Sequence, residues 1–335
     1  MRALLLLVLV LTACTTQPNA GASPTASPTA SPTATATQSP TSSPTPSPSP
    51  IALPSIAQLS APSGIVVWAF VGGTRLFRSS DRGDTWVERS TAPGLVSTEA
   101  SFADDTNGLL LNTGTAVGAC ETQTASIAKT ADGAATWQRV TATGIADAMC
   151  KRGLASADAT HAVLTAYGPS SGPVIYRTAD GGRTWAASKP LPDPPGFTFT
   201  TPGGVVILPG RPRAFGLEIL VDAQGYGEKT RYVFRSTDGG ATFAYVSTLP
   251  VVEGTLAYVT TTRWLQIGPP GSSMETTDAG ATWHAFTTDY SQAAPIAGEF
   301  VFGGAMVGYG TVRGAIQRTT DGGAHWTTIK TPGTS

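Results

Sequence analysis

Short runs of β-branched and aromatic residues, separated by turns rich in glycine, serine and threonine, fill the chain from about residue 51 onward. Segments such as Ile65–Val71, His161–Tyr167 and Trp264–Ile267 have this form. Runs of this length and composition predict β-strands. No long stretch with helical periodicity follows the N-terminus, so the pattern predicts an all-β domain over residues 51–335.

An eight-residue pattern, Ser/Thr-x-Asp-x-Gly-x-Thr-Trp, recurs six times at intervals of about 40 to 60 residues. Its central acids are Asp81, Asp132, Asp180, Asp238, Asp278 and Asp321. The acid is expected to accept hydrogen bonds from the turn that follows it, and the glycine two residues later to permit a positive φ. Ala134, Phe243 and His325 depart from the pattern in single copies. Because the acids repeat around the chain, they are interpreted as structural and not as catalytic or calcium-binding.

These residues resemble the Asp-box, or bacterial neuraminidase repeat, family, which includes sialidases, sortilin-type receptors and photosystem II assembly and stability factors. Segments such as Ser101-Phe-Ala-Asp-Asp-Thr-Asn-Gly-Leu and Ile175-Tyr-Arg-Thr-Ala-Asp-Gly-Gly-Arg-Thr-Trp are most similar to the last group. The resemblance implies a β-propeller with an Asp-box between the third and fourth strands of each blade. Six copies favour six blades of four antiparallel strands, with seven blades as the alternative.

Strands can be assigned to the blades from this repeat. Second strands are expected at Ile65–Val71, Gly108–Asn112, His161–Tyr167, Ala214–Val221, Trp264–Ile267 and Met306–Gly310. Inner strands are expected at Ile56–Leu59, Glu99–Phe102, Gly153–Ala155, Gly204–Leu208, Leu256–Thr260 and Gly298–Phe302. Ring closure is expected to rest on contact between the first and last blades, with or without an exchanged strand.

The N-terminus has the form of an export signal. A positive charge at Arg2 precedes an apolar run, Leu4 to Leu11, which is too short to span a bilayer. The run ends in Leu11-Thr12-Ala13-Cys14, which resembles the lipobox of bacterial lipoproteins and implies lipidation of Cys14 after removal of residues 1–13. An ordinary signal peptide with a chance cysteine is the alternative. Residues 15–50 are almost wholly Ser, Thr, Pro and Ala, which predicts a disordered linker.

Cys120 and Cys150 remain for the exported domain. In an oxidising environment they are expected to form a disulfide, since their predicted loops lie on the same face of the propeller; two free thiols are the alternative. The three histidines, His161, His284 and His325, show no metal-ligand spacing, and no metal or cofactor is expected.

The balance of 21 Lys+Arg against 22 Asp+Glu, without a basic block, argues against nucleic acid as a partner. Three hypotheses of function remain. The first, which we favour, is a monomeric, non-catalytic binding or assembly module, lipid-anchored on the outer face of the cell membrane, whose partner is a protein or an envelope polymer. Its loops are expected to present a face that includes Glu121, Tyr226, Lys229, Arg231 and Tyr290.

The second hypothesis is a sialidase-like exo-glycoside hydrolase, which needs arginines, a tyrosine and acids converging in one pocket. Candidate cations and phenols are Arg152, Arg211, Arg213, Arg263, Arg313, Tyr226, Tyr258 and Tyr290, none of which sits in a family motif. The third hypothesis is a stabilising factor for a membrane complex, acting through the propeller face.

Overall fold

A computed structural model of the chain describes residues 57–95, 98–114, 120, 123–168, 172–199, 207–250, 254–290, 299–312 and 315–330. The predictions for Cys14, the signal, the linker, Glu121 and Arg313 lie outside these residues. Within the described ranges all regular structure is β-strand. No helix there is long and apolar enough to cross a membrane.

The strands form six separate antiparallel sheets, arranged as the blades of a propeller. Inner strands are β1 Ala57–Ser60, β5 Glu99–Phe102, β9 Cys150–Ser156, the split pair β13 Ile207–Pro209 and β14 Arg213–Phe215, β18 Thr255–Tyr258 and β22 Phe300–Phe302. Second strands are β2 Val67–Val71, β6 Gly108–Asn112, β10 Ala162–Gly168, β15 Glu218–Gly225, β19 Trp264–Ile267 and β23 Gly308–Val312. Third strands are β3 Arg75–Ser79, β7 Ser126–Thr130, β11 Gly172–Thr178, β16 Arg231–Ser236, β20 Met274–Thr276 and β24 Ala315–Thr319. Outer strands are β4 Val87–Arg89, β8 Gln138–Val140, β12 Ala186–Ala187, β17 Ala244–Thr248, β21 His284–Ala285 and β25 Thr327–Ile329. The predicted all-β, six-bladed fold is therefore confirmed.

The hydrophobic core is a ring of six clusters, one at each interface between consecutive blades. The second strands show how one strand serves two interfaces. All five residues of β2 are buried: Val67, Ala69 and Val71 face blade 6, while Trp68 and Phe70 face blade 2. Because side chains alternate along a strand, an apolar run that is buried on both faces belongs to two adjacent clusters.

Blade 4 departs from the predicted strands. The expected second strand Ala214–Val221 is wrong, because Gly216, at φ 61°, turns the chain between β14 and β15. The apolar sequence on both sides of that glycine reads as one run, although it forms a hairpin. β15 then continues to Gly225, so the loop between β15 and β16 is only residues 226–230.

The ring closes without an exchanged strand among the described residues, since each blade is built from one contiguous segment. Side chains make the closing contacts. Trp86 Nε1 donates to the Lys330 carbonyl at 2.9 Å, and Arg318 Nη1 bonds Asp84 Oδ1 at 2.7 Å. The same kind of tryptophan contact joins Trp137 to the Ser90 carbonyl between blades 2 and 1. The closing interface thus repeats the contact found inside the ring.

Candidate functional site

Each Asp-box is a closed hydrogen-bonded turn between the third and fourth strands of its blade. In the first box Ser79 Oγ donates to Asp81 Oδ1 at 2.7 Å and accepts from Gly83 N at 2.7 Å. Thr85 donates to the same carboxylate through its N–H at 2.9 Å and its hydroxyl at 2.5 Å. The equivalent bonds recur in the other five boxes, with His325 Nδ1 in place of the threonine hydroxyl in the sixth. The acids act inside their own turns and do not converge.

These hydrogen bonds stabilise the ionised carboxylate. The hydroxyl and N–H of Thr85, followed by the Ser79 hydroxyl, lower the pKa of Asp81 to about 2. The pKa values of four other box acids are also lowered to about 2, chiefly by the threonine of the same box; these acids are Asp132, Asp180, Asp238 and Asp278. Although burial works in the opposite direction, hydrogen bonds from His325 and Thr319 lower the pKa of Asp321.

The structure joins Cys120 and Cys150 in a disulfide, with their Cα atoms 5.1 Å apart. Cys150 begins the inner strand β9, and the next residue, Lys151, is held tightly as well. Lys151 Nζ donates to the carbonyls of Gln123, Ala146 and Asp147. The start of β9 is therefore fixed by a covalent bond and by a caged ammonium.

The inner strands line the central channel and present N–H groups that no further strand covers. Side chains of the preceding blade accept from these groups. Gln58 Oε1 accepts from Ala100 N at 3.1 Å, Glu99 Oε2 from Leu154 N at 2.8 Å, and Glu299 Oε2 from Leu59 N at 3.2 Å. Buried donors need such partners, so Glu99 and Glu299 have a structural role between blades.

Two inner strands carry bulges, and each bulge places an arginine against the channel. In β9 the pairing passes from Gly153 opposite Thr165 to Lys151 opposite Ala166, which leaves Arg152 unpaired. In blade 4 the segment 210–212 separates β13 from β14 and carries Arg211. A β-bulge redirects a side chain in this way and is frequent beside functional sites.

Two glycines permit the close contacts that the bulges make. A Cβ on Gly153 would lie 2.8 Å from the Cα of Arg211, and one on Gly210 would lie 2.2 Å from Asp222 Oδ1. Thr165 Oγ1 donates to the Gly210 carbonyl at 3.0 Å and so links blade 3 to the bulge of blade 4. The close approach of the two bulges is built into the backbone.

The bulges face a cavity of about 500 Å³ at the centre of the ring, which we call the central cavity. Residues from all six blades line it. Its charged lining residues are Arg152, Arg211, Arg213, Arg231, Glu299 and Asp222. A second cavity of about 330 Å³ lies further along the channel, and Arg213 lines both.

Ion pairs in and beside the central cavity account for most of its charge. Arg211 bonds both Glu99, at 3.2 Å, and Glu299. Although burial works against the charged form, these two acids hold the pKa of Arg211 above its usual value, while burial raises the pKa of Glu99. Arg231 Nη2 bonds Asp222 Oδ2 at 2.5 Å. Arg213 donates to the carbonyls of Ala61 and Phe302, and burial lowers its pKa to about 10.

Two polar groups of the cavity lining have no such partner within the described part of the chain. Arg152 is exposed, forms no ion pair there, and lies with its guanidinium carbon 6.0 Å from the centre of the Tyr167 ring. The Tyr258 hydroxyl is buried and without a hydrogen-bond partner. Burial, followed by the nearby charge of Asp222, raises the pKa of Tyr258 well above its usual value, so the phenol is a neutral donor.

The residues expected together on the loop face lie in different places in the structure. Tyr226 (72% exposed) and Lys229 lie in the exposed loop between β15 and β16. Arg231 instead lies at the start of β16 beside the central cavity. Tyr290 packs against Phe300 and Trp326, and its hydroxyl donates to the Thr311 carbonyl at 3.0 Å. Tyr226 and Lys229 are therefore the described members of that face that remain open to solvent.

Only some of the candidate arginines of the hydrolase hypothesis lie at the central cavity. Arg152, Arg211 and Arg213 line the central cavity together with Tyr258. Arg263 is held away from it by Glu275, at 2.6 Å, and by the carbonyls of Ala305 and Gly322. No group of three metal-ligating side chains occurs in the ranges that the structure describes.

Comparison with known proteins shows the fold. Neither the family models nor the curated proteins contain a match to the sequence. Among solved structures, a triple arginine-to-alanine mutant of AofleA from Arthrobotrys oligospora is 15% identical, with a TM-score of 0.51 over 82% of this chain and 87% of that one. Oligogalacturonate lyase in complex with manganese is 10% identical, with a TM-score of 0.50 over 77% and 74%. YCF48 bound to a D1 peptide is 16% identical, with a TM-score of 0.42 over 84% and 96%. By its architecture the chain is a six-bladed β-propeller.

Proposed function

We propose that the chain is a lipid-anchored, cell-surface propeller that binds a protein or an envelope polymer without cutting it, and that the central cavity is its binding site. The observation that carries the proposal is the convergence of two arginine-bearing bulges on one cavity. The bulges lie in consecutive inner strands, and each depends on a glycine. A bulge loses regular hydrogen bonds of the sheet, and it is typically retained where it positions a side chain.

The hydrogen bonding of the cavity favours binding over hydrolysis. Glu99 and Glu299 are both engaged by Arg211 and by a backbone N–H of the next blade. A general acid or base must be able to reach a substrate proton, and these two carboxylates are occupied as ties between blades. Asp222 is paired with Arg231.

A sialidase-like hydrolase is the second candidate, because Arg152, Arg211, Arg213 and Tyr258 do share the cavity. That chemistry requires a phenol activated by a neighbouring carboxylate. The Tyr258 hydroxyl has no such bond, and its pKa is raised. Turnover of a fluorogenic sialoside by the purified chain, abolished by Tyr258→Phe, would establish the hydrolase and remove the binding proposal.

The test of the binding proposal is retention of envelope components. The purified full chain, in detergent, is immobilised and exposed to wall polymers and solubilised membrane proteins of the source cells. We expect a component to be retained and then lost with Arg152→Glu. Arg183→Glu is the matched control, since Arg183 is exposed on an Asp-box and bonds that box through its backbone N–H. Retention that survives Arg152→Glu but is lost with Tyr226→Ala/Lys229→Ala would move the site to the outer loop.

The anchor is tested separately. If Cys14 carries the lipid, Cys14→Ser removes the attachment point, and two acyl chains are what holds such a protein stably at a membrane. We expect the variant to leave the membrane fraction, as judged by fractionation and immunoblotting, while Cys120→Ser/Cys150→Ser stays in it. A Cys14→Ser protein that remains membrane-bound at the level of the unaltered chain would contradict lipidation.

A further inference from the structure

The charges of the central cavity leave one cation in excess. The negative charges of Glu99 and Glu299 balance the positive charges of Arg211 and Arg213, and the charge of Asp222 balances that of Arg231. Among the described ionisable residues in and beside the cavity, Arg152 is then the one without a counter-charge.

The free groups of the cavity are donors. A guanidinium has five N–H donors and no acceptor, and a neutral buried phenol can satisfy its O–H only with an acceptor. Arg152 and the Tyr258 hydroxyl can therefore donate hydrogen bonds to a ligand that carries acceptor atoms. The described part of the protein supplies no acceptor to the Tyr258 hydroxyl. An unpaired hydroxyl in a buried position is unfavourable, which suggests that a ligand or solvent completes it.

We infer that the central cavity binds a singly charged oxyanion, a carboxylate or a phosphate diester, on a polar ligand, with Arg152 as the anion-binding group and Tyr258 as a second donor. The inference rests on the proposed function, since it names the ligand chemistry of the same cavity. A guanidinium pairs with such oxyanions through two parallel hydrogen bonds, and the volume of about 500 Å³ is that of a small-molecule site.

Arg211 has a different role in this site. Its two glutamate partners come from blades 2 and 6, so its guanidinium is held across the ring. It forms a fixed polar wall, whereas Arg152 keeps its charge available. The anion is thus expected to depend on Arg152, and the shape of the cavity on Arg211.

The test measures binding of three small probes to the purified full chain at low ionic strength: galacturonate, dimethyl phosphate and uncharged galactose. Isothermal titration gives the affinity, and the shift of the unfolding midpoint gives an independent reading. We expect galacturonate, dimethyl phosphate or both to bind and galactose to bind far more weakly. Binding of one charged probe identifies the source of the oxyanion as carboxylate or phosphate.

Two variants locate the site. Arg152→Gln keeps amide donors but removes the charge, and should weaken binding about 30-fold, with loss of the salt dependence; Arg183→Gln is the control and should change nothing. Tyr258→Phe should weaken binding about 5-fold. Because the hydroxyl is unpaired without ligand, the same substitution should leave the unfolding midpoint unchanged or raised, which a purely structural tyrosine would not do.

Failure of the inference is distinguishable from failure of the proposed function. If neither charged probe binds, or if Arg152→Gln binds them as well as the unaltered chain, the oxyanion site is wrong. Retention of an envelope component by the same preparation would in that case leave the binding module standing. Absence of any retained component would remove the proposed function itself.

Discussion

At the residue scale, each Asp-box places two consecutive residues in the left-handed region. Gly83 follows Arg82 at φ values of 88° and 64°, and in the second box Gly133 and Ala134 have 69° and 63°. The glycine of the motif was expected to adopt a positive φ, but the residue before it does so as well. Non-glycine residues there are strained, and the carboxylate bonds of the turn hold them in place.

The box carboxylates make stability depend on acid pH. Their pKa values are about 2 in the folded chain and about 3.8 ordinarily, so they stabilise the fold above pH 4, and this contribution is lost as pH falls from about 4 to 2. We expect the temperature midpoint of unfolding to be level from pH 7 to 5 and to fall below pH 4.

Asp180→Asn should lower the midpoint by about 3 °C at pH 7, since exposure to solvent weakens the interaction, and by less at pH 3. Asp147→Asn is the control, and an equal effect of both variants would contradict the assignment.

At the element scale, the sequence repeat predicted most strands but not the irregular blade. The spacing of the Asp-boxes and the runs of β-branched and aromatic residues were sufficient to predict blades 1, 2, 3, 5 and 6. Such blades are four-stranded meanders, which are determined by the local sequence pattern. The longest interval, between Asp180 and Asp238, holds two features without a local signature. One is the segment with Phe197 and Phe199, which packs on Tyr232. The other is the bulge at 210–212, whose geometry depends on the contact of Gly153 with Arg211 across blades.

That contact can be tested with a single methyl group. In Gly153→Ala the new Cβ would lie 2.8 Å from the Cα of Arg211, where the backbone cannot yield without moving the bulge. We expect a loss of about 2 kcal/mol in the free energy of unfolding, measured with denaturant, and weaker binding in the central cavity. Gly304→Ala, whose Cβ would have no atom within 4 Å, should be neutral. Equal stabilities of the two variants would show that the bulges are not in contact.

The candidate site itself was only partly visible in the sequence. Arg152, Arg211 and Arg213 were singled out as cations, but nothing in the linear order separated them from Arg263, which serves as a structural tie. Glu99 and Glu299 carried no signal, because their role depends on the unpaired N–H groups of the next inner strand. A polar residue at or next to the start of several inner strands, as in Gln58, Glu99 and Glu299, is the pattern that could have revealed them.

At the scale of the whole molecule, the closing interface resembles the interface between blades 1 and 2. The contact of Trp86 with the Lys330 carbonyl at the closure corresponds to that of Trp137 with the Ser90 carbonyl inside the ring. We therefore expect Trp86→Phe and Trp137→Phe to lower the free energy of unfolding by similar amounts, about 1 kcal/mol each, in thermal melts. A much larger loss for Trp86→Phe would mean that the closing interface carries the stability of the ring.

Because every described blade is a contiguous segment, its strands need only near neighbours in the chain to pair. Pairings of this kind form early, whereas the contact between Asp84 and Arg318 joins residues at opposite ends of the domain. A chain that is synthesised from its N-terminus can therefore assemble its blades in order as each is completed. The last blade then completes the central cavity by bringing Glu299 to Arg211, so the cavity is closed only when synthesis of the domain is finished.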